Sequence, residues 1–221
     1  HFYIAVDRQE FKMRTFFDLL EHFWKRSGVP LVICCNARDS LDAVFAAAAS
    51  CPHFHVKFLH SDLCEHERAT TIEEFRRAMA EWRKSEVTME GDSTMPPKLF
   101  LLLVTDACLP SSTFGEHSLL ARALVNYDLP VKKASFLLIA SHFFHGVVLN
   151  IVVGGEVSTL RSIEEGCVVI INEMPINVRF FSQTSSLIFT LLACRSQSCC
   201  NELTGRKTFH FCCYQIQREN F

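Results

Sequence analysis

Short apolar runs alternate along this chain with longer segments whose apolar residues recur every three or four positions. Leu99 to Asp106, reading LFLLLVTD, is the strongest run. Its apolar residues, ending in Thr and Asp, predict a strand buried on both faces, the habit of a central strand in a parallel sheet. Tyr3 to Val6, Val29 to Cys35, Phe54 to His60, Ala121 to Tyr127 and Gly146 to Val153 predict further strands. Between them lie helical segments. Glu10 to Lys25 carries Met13, Phe16, Phe17, Leu20 and Phe23 on one stripe and is stopped by Gly28 and Pro30. Arg38 to Ser50 includes the alanine run 46–49, suited to close packing on a sheet. A third helix holds Ile72, Phe75, Met79 and Trp82 on a core-facing stripe and is opened by a D-x-x-E capping box of Asp62 and Glu65. Val131 to Phe144 reads as a helix or a helix followed by a loop, and Glu156 to Glu165 as a short helix. Ser85 to Lys98, with Gly, two Pro and mixed charges, predicts an inserted surface loop. The alternation predicts an α/β fold, three layers with a mainly parallel sheet and right-handed crossovers.

The chain's 221 residues suit one main domain with additions. Its formal charge of −2 gives no global attraction to nucleic acid, so any RNA contact must come from a local patch. A 49% apolar composition with 20 Phe argues for a real core. No apolar run approaches the roughly twenty residues that cross a bilayer, so no membrane partner is expected. Eleven cysteines, an odd count with adjacent pairs such as Cys34-Cys35, do not read as a disulfide framework. Buried reduced thiols in a cytoplasmic or nuclear protein are the expectation. The chain opens on His1 with no leader and reads as a processed chain or a fragment of a longer protein.

In open α/β sheets ligands sit beyond the carboxyl ends of the strands, which makes Thr105 and Asp106 candidate site residues. The segment after them, Ala107 to Thr113, has no glycine-rich phosphate loop, lysine or arginine. Gly205-Arg206-Lys207-Thr208 faintly echoes a phosphate loop but lacks Gly beside Lys and a strand before it.

Several segments, in order, resemble the carboxyl-terminal RecA-like lobe of DEAD-box RNA helicases, and among them the eukaryotic initiation factor 4A kind. The opening HFYIAVDRQEFKMRTFFDLLE is similar to the way that lobe begins. VICCNARD at Val32 to Asp39 resembles its strand-and-turn motif, and LHSDLCEHERATTIEEFR at Leu59 to Arg76 its H-G-D…Q-x-x-R segment. LVNYDLP at Leu124 to Pro130 resembles I-N-Y-D-x-P, and INEMPINV at Ile171 to Val178 the family's closing residues. The resemblance implies a three-layer RecA-like domain over residues 1–178, followed by an irregular Cys-rich tail over 179–221.

In that family ATP, with Mg, binds between two lobes, and both grip the RNA backbone. The resemblance therefore implies RNA and an amino-terminal helicase lobe, or another protein, as partners. The first lobe's phosphate loop and D-E-A-D residues are not in this chain. The second lobe's A-R-G-x-D turn is replaced by Cys108 to Thr113, with Pro110 at the Arg and Thr113 at the Asp. Its arginine-finger helix falls at Leu138 to Phe144, where Ile139 and Phe144 cannot do an arginine's electrostatic work and His142 is shorter in reach. The expectation is a degenerate lobe that binds RNA or protein without ATPase of its own, with no catalytic residue and no cofactor. The alternative is the carboxyl-terminal half of a complete ATP-dependent RNA helicase acting in RNA unwinding or translation initiation.

Six residues carry the RNA-binding expectation: Arg38, His60, Ser61, Arg68, Thr105 and Asp106. Arg38 stands where the family keeps a backbone-phosphate Arg, and is otherwise a solvated arginine at a helix start. His60-Ser61-Asp62 replaces H-G-D, and Ser61 adds a side chain where Gly lets phosphate approach. Arg68 keeps the Arg of Q-x-x-R, as an RNA contact or an internal ion pair, while Glu65 puts negative charge at the Gln position. Thr105 and Asp106 keep T-D, as a contact or as a strand terminus and helix cap. The pairs His53/His55 and His142/His145, and the tail's Cys199, Cys200, His210, Cys212 and Cys213, lack convincing zinc-ligand spacing, so no metal is expected.

Overall fold

The computed structural model describes residues 1–87, 98–110, 119–142 and 146–174. Most of the 85–98 segment, Ser111 to Thr113, Phe143 to His145, the 178 boundary and the tail with its cysteines lie outside them.

Seven parallel strands form one sheet: β1 (Phe2–Val6), β2 (Leu31–Cys35), β3 (Phe54–Leu59), β4 (Leu99–Thr105), β5 (Ala123–Asn126), β6 (Val147–Val153) and β7 (Asn172–Glu173). Their order is β3-β4-β2-β5-β6-β1-β7, every described pairing being parallel. Among the described residues five α-helices cross between the strands: α1 (Gln9–Arg26), α2 (Arg38–Ala49), α3 (Glu65–Val87), α4 (Lys133–His142) and α5 (Val157–Cys167). The three-layer parallel architecture expected from the sequence is the one observed.

The layers follow from the alternation of strand side chains. Leu31, Ile33 and Cys35 of β2 join Phe16, Leu20 and Phe23 of α1 and Leu41, Val44 and Ala48 of α2 on one face. Val32 and Cys34 join Ile72, Phe75 and Met79 of α3 and Ile139 of α4 on the other. Phe136 of α4 with Leu160 and Ile163 of α5 completes that second layer. The adjacent thiols Cys34 and Cys35 thus point to opposite faces, each buried. Burial pushes the Cys35 thiol up to about 12 and the Cys34 thiol well above its usual range, so both are unreactive at neutral pH.

Gly28 explains the sharp end of α1. Its φ of +57° is left-handed, and its N–H donates to the Phe23 carbonyl at 2.9 Å, the closure that glycine supplies at a helix carboxyl end. Gly146 is fixed by a close approach instead: an added Cβ would lie 2.6 Å from the Arg122 carbonyl oxygen.

Three expectations need correction. LFLLLVTD is buried on both faces, yet it is next to the β3 edge; β5 is the middle strand. The Ser85 loop begins later, because α3 runs on to Val87. The cap of α3 is also displaced. Asp62 does not cap it; the Cys64 N–H donates to Glu67 Oε2 at 3.2 Å, so the reciprocal carboxylate comes from Glu67, three residues after Cys64. Asp62 is then free to pair with Arg38. Glu67→Ala is expected to destabilise the chain by about 1 kcal/mol, read as a lower thermal midpoint, whereas Glu65→Ala is near neutral.

Candidate functional site

The strand order brings the expected residues to one edge. β3, β4 and β2 are neighbours, and Cys35 registers with Thr105 while Leu59 registers with Val104, so their three exits leave the sheet at one level. Arg38 follows β2, His60 and Ser61 follow β3, and Thr105 and Asp106 end β4. Arg68 lies one turn into α3, half-buried.

Arg38 opens α2 and is held by two carboxylates. Its Nε donates to both oxygens of Asp42 at 2.8 and 2.9 Å, and Nη1 donates to Asp62 Oδ2 at 3.1 Å. The Arg38 side chain is 41% exposed. Asp62 also accepts from the Ser61 hydroxyl at 3.0 Å, and its own N–H donates to His60 Nδ1 at 3.1 Å. His60 is 8% exposed and stacks on Phe58 with ring centroids 5.0 Å apart. Nδ1 therefore serves as an acceptor in this turn. His60 shapes the turn from inside, and Ser61 orients the carboxylate that restrains Arg38.

Thr105 and Asp106 serve a different neighbour. Thr105 precedes a single 3-10 turn, Asp106–Cys108, without capping it through its side chain. Asp106 Oδ2 accepts from the Ser135 hydroxyl at 2.9 Å, which ties the end of β4 to α4. Around Arg38 two carboxylates thus face one guanidinium.

A second cluster, which the sequence reading did not single out, stiffens this edge. Lys12, 2% exposed, sends Nζ to Asp128 Oδ1 at 2.7 Å and lies 4.5 Å from the Tyr127 ring centroid. Asp128 Oδ2 accepts the Asn36 N–H at 3.2 Å, and Asn36 Nδ2 donates to the Leu129 carbonyl at 2.7 Å. Tyr127 N–H donates to the Cys34 carbonyl at 2.9 Å. The end of β5 and the turn that presents Arg38 are in this way clamped to α1. Lys12 precedes Phe16 by four and Leu20 by eight residues, so its place on the apolar stripe was the available signal. Deeper in the sheet, Asn126 Nδ2 donates to Asn150 Oδ1 at 2.7 Å and Asn150 Nδ2 to the Phe2 carbonyl at 2.9 Å.

Two arginines near the ends of the sheet, Arg122 and Arg161, stand away from the crevice above its middle. Arg122 precedes β5 at the amino end, where its carbonyl accepts the Val147 N–H at 2.8 Å. Arg161 on α5 is paired with Glu164 at 2.7 Å, which with the nearby Tyr3 places it toward β1 and β7. Ile139 is fully buried in the core. His53 stacks on Trp24 and His55 meets Phe100 edge-on. Among the described residues no three His, Cys, Asp or Glu side chains gather as a metal site would require.

The chain matches no protein-family model. It is 28% identical over 181 residues to the ATP-dependent RNA helicase eIF4A of Meyerozyma guilliermondii and equally to the ATP-dependent RNA helicase FAL1 of Mycosarcoma maydis, alignments that take in 80% of this chain and 39% of each helicase. It therefore spans about two-fifths of the length of the curated relatives it matches. Among solved structures it superposes on the C-terminal domain of the DEAD-box protein Dbp5 with a TM-score of 0.60 at 15% identity, covering 86% of this chain and 96% of that one. Against S. cerevisiae Dbp5 bound to RNA and ADP BeF3 the TM-score is 0.65 at 18% identity, over 87% of this chain and 45% of that one.

Fold and comparisons define a RecA-like α/β domain of the kind that forms the carboxyl-terminal lobe of DEAD-box proteins. Within that class, the chain is a relative of the DEAD-box ATP-dependent RNA helicases eIF4A and FAL1. No helix among the described residues is long and apolar enough to cross a membrane.

Proposed function

We propose that this chain is a binding module built on the DEAD-box carboxyl-terminal lobe, taking RNA backbone weakly at its carboxyl edge and turning over no ATP by itself. The observation that carries the reading is the content of α4. Where the resemblance asks for an arginine opposite the terminal phosphate, Ile139 is fully buried in the core. A finger arginine is worth roughly three to five powers of ten in rate, and no buried aliphatic side chain replaces it. The residues present therefore do not fit the γ-phosphate of ATP, and no catalytic step is derived through it.

RNA is supported at the edge by Arg38, exposed between the exits of β2 and β3, and by the fold relative Dbp5, which has been seen bound to RNA. Asp42 and Asp62 compete with phosphate for the same guanidinium, which makes the contact weak. The test pairs ATP turnover, with and without RNA, with filter binding of a single-stranded RNA over a salt series. Turnover is expected at background, and binding is expected to weaken with salt at a slope of about −0.7 per phosphate neutralised. Arg38→Ala removes most of that dependence. Asp42→Asn, by freeing the guanidinium, strengthens binding by about threefold. ATP turnover above background, or binding indifferent to both salt and Arg38, would overturn the reading.

A further inference from the structure

At the amino ends of the strands, opposite the candidate site, the structure holds a cavity of about 620 Å³. Its place follows from the fold: α1 ends at its rim with Ser27 and Gly28, Pro30 and Lys98 lead into β2 and β4, and α3 crosses it with Ala78 and Trp82. That volume lies within the range of small-ligand sites. Seven residues of β4 separate its two ends by roughly 20 Å, so the cavity is distinct from the Arg38 edge.

Trp24, Trp82 and Phe100 supply aromatic walls, each fixed by a further contact. Trp24 stacks on His53 at 3.9 Å, Phe100 meets Phe75 edge-on at 5.7 Å, and the Trp82 indole N–H donates to the Ser27 carbonyl at 2.8 Å. The aromatic surface is therefore organised before any ligand arrives. Two amines, Lys25 and Lys98, also line the cavity against one carboxylate, Glu81. Lys25 is engaged with Glu21 at 2.9 Å, which leaves Lys98 as the cation facing an anionic group.

Trp24 is nearly buried against His53, so the partly exposed Trp82 supplies the indole face, and an indole beside a lysine matches a flat π-system carrying a nearby negative charge. We infer that this cavity binds a nucleotide, with the base against Trp82 and the phosphate at Lys98. The nucleotide is either free or part of an RNA strand, since stacking on aromatic side chains tolerates any base.

The chain has two tryptophans, and both line this cavity, so intrinsic indole emission reports on it directly. The experiment titrates the full chain with AMP in one arm and with a short oligoadenylate in the other, while following tryptophan emission. Saturable quenching is expected, weakened about tenfold in Lys98→Glu, an exposed position whose change leaves the core intact, and in Trp82→Phe. Quenching by AMP assigns a free nucleotide, and quenching by the oligonucleotide alone assigns a strand. No quenching in either arm, or quenching of equal affinity in Lys98→Glu, overturns the inference. The carboxyl-edge reading stands or falls separately, on ATP turnover and on the dependence of RNA binding on Arg38 and salt.

Discussion

Asp128→Ala is expected to destabilise the chain by about 3–5 kcal/mol, enough to unfold a marginal domain at physiological temperature. The cost comes from what the substitution leaves behind. Lys12 is 2% exposed and its ammonium has Asp128 as its carboxylate partner at 2.7 Å, so removing the acid strands a charge inside the protein. The Asn36 N–H loses its acceptor in the same step, and the turn that presents Arg38 loses its anchor. Removing both charges is milder. Lys12→Met with Asp128→Asn replaces a buried ion pair by an apolar stem and an amide that still accepts from Asn36, and is expected to recover most of the loss. Urea denaturation of Lys12→Met, of Asp128→Asn and of the double variant measures the coupling. A cost below about 1 kcal/mol for Asp128→Ala would show that water reaches Lys12 and that the pair is not what orders this edge.

That ion pair marks where sequence reasoning stopped. The strands were legible because burial on both faces leaves a nearly continuous apolar run, unbroken over LFLLLV and broken in VVLNIVV by Asn150 alone, and the helices because one stripe faces the sheet. Lys12 was not, since a lysine within an amphipathic helix reads as solvated, and its partner lies 116 residues away on another strand's exit. Asn126 and Asn150 were hidden in the same way, as polar residues that meet only once β5 and β6 are paired, and Asn126 Oδ1 still has no hydrogen-bond partner among the described residues. Edge strand β7, two residues long, has no periodicity to detect. The capping box was misplaced by two residues because Cys64 is a poor cap by type, and the reciprocal bond runs from its backbone. Parallel pairing of β3, β4 and β2 carried Arg38, His60, Ser61, Thr105 and Asp106 to one edge, as expected of strand carboxyl ends. What the sequence could not show was their engagement: Arg38 with Asp42 and Asp62, Asp106 with Ser135.

The second large effect is expected in alkali, and it arises from the same corner of the molecule. Burial first, and then the Asp128 carboxylate, pushes the Cys35 thiol up to about 12; burial, Asp128 and Cys35 push the Tyr127 hydroxyl up to about 12 as well. In the unfolded chain these groups ionise near their ordinary values, about 8.5–9 and about 10. The folded state therefore favours their neutral forms. The stability this implies is whole below about pH 9, declines as the unfolded chain begins to ionise, and is lost as pH rises to about 12. Each unit of difference corresponds to 1.36 kcal/mol, so about three units for Cys35 and about two for Tyr127 bound the decline across that window at about 7 kcal/mol. Thermal midpoints measured between pH 8 and pH 11 should fall steeply in the upper half of the range. Cys35→Ala removes one of the two buried-thiol ionisations and should make the fall shallower, while Cys34, raised likewise by burial, keeps its onset at about pH 9. Tyrosinate absorbance supplies an independent readout, because Tyr127 should ionise together with unfolding. A Tyr127 signal that titrates near pH 10 in a chain still folded would mean that its hydroxyl is hydrated, and with it the clamp formed by Lys12, Asp128 and Asn36.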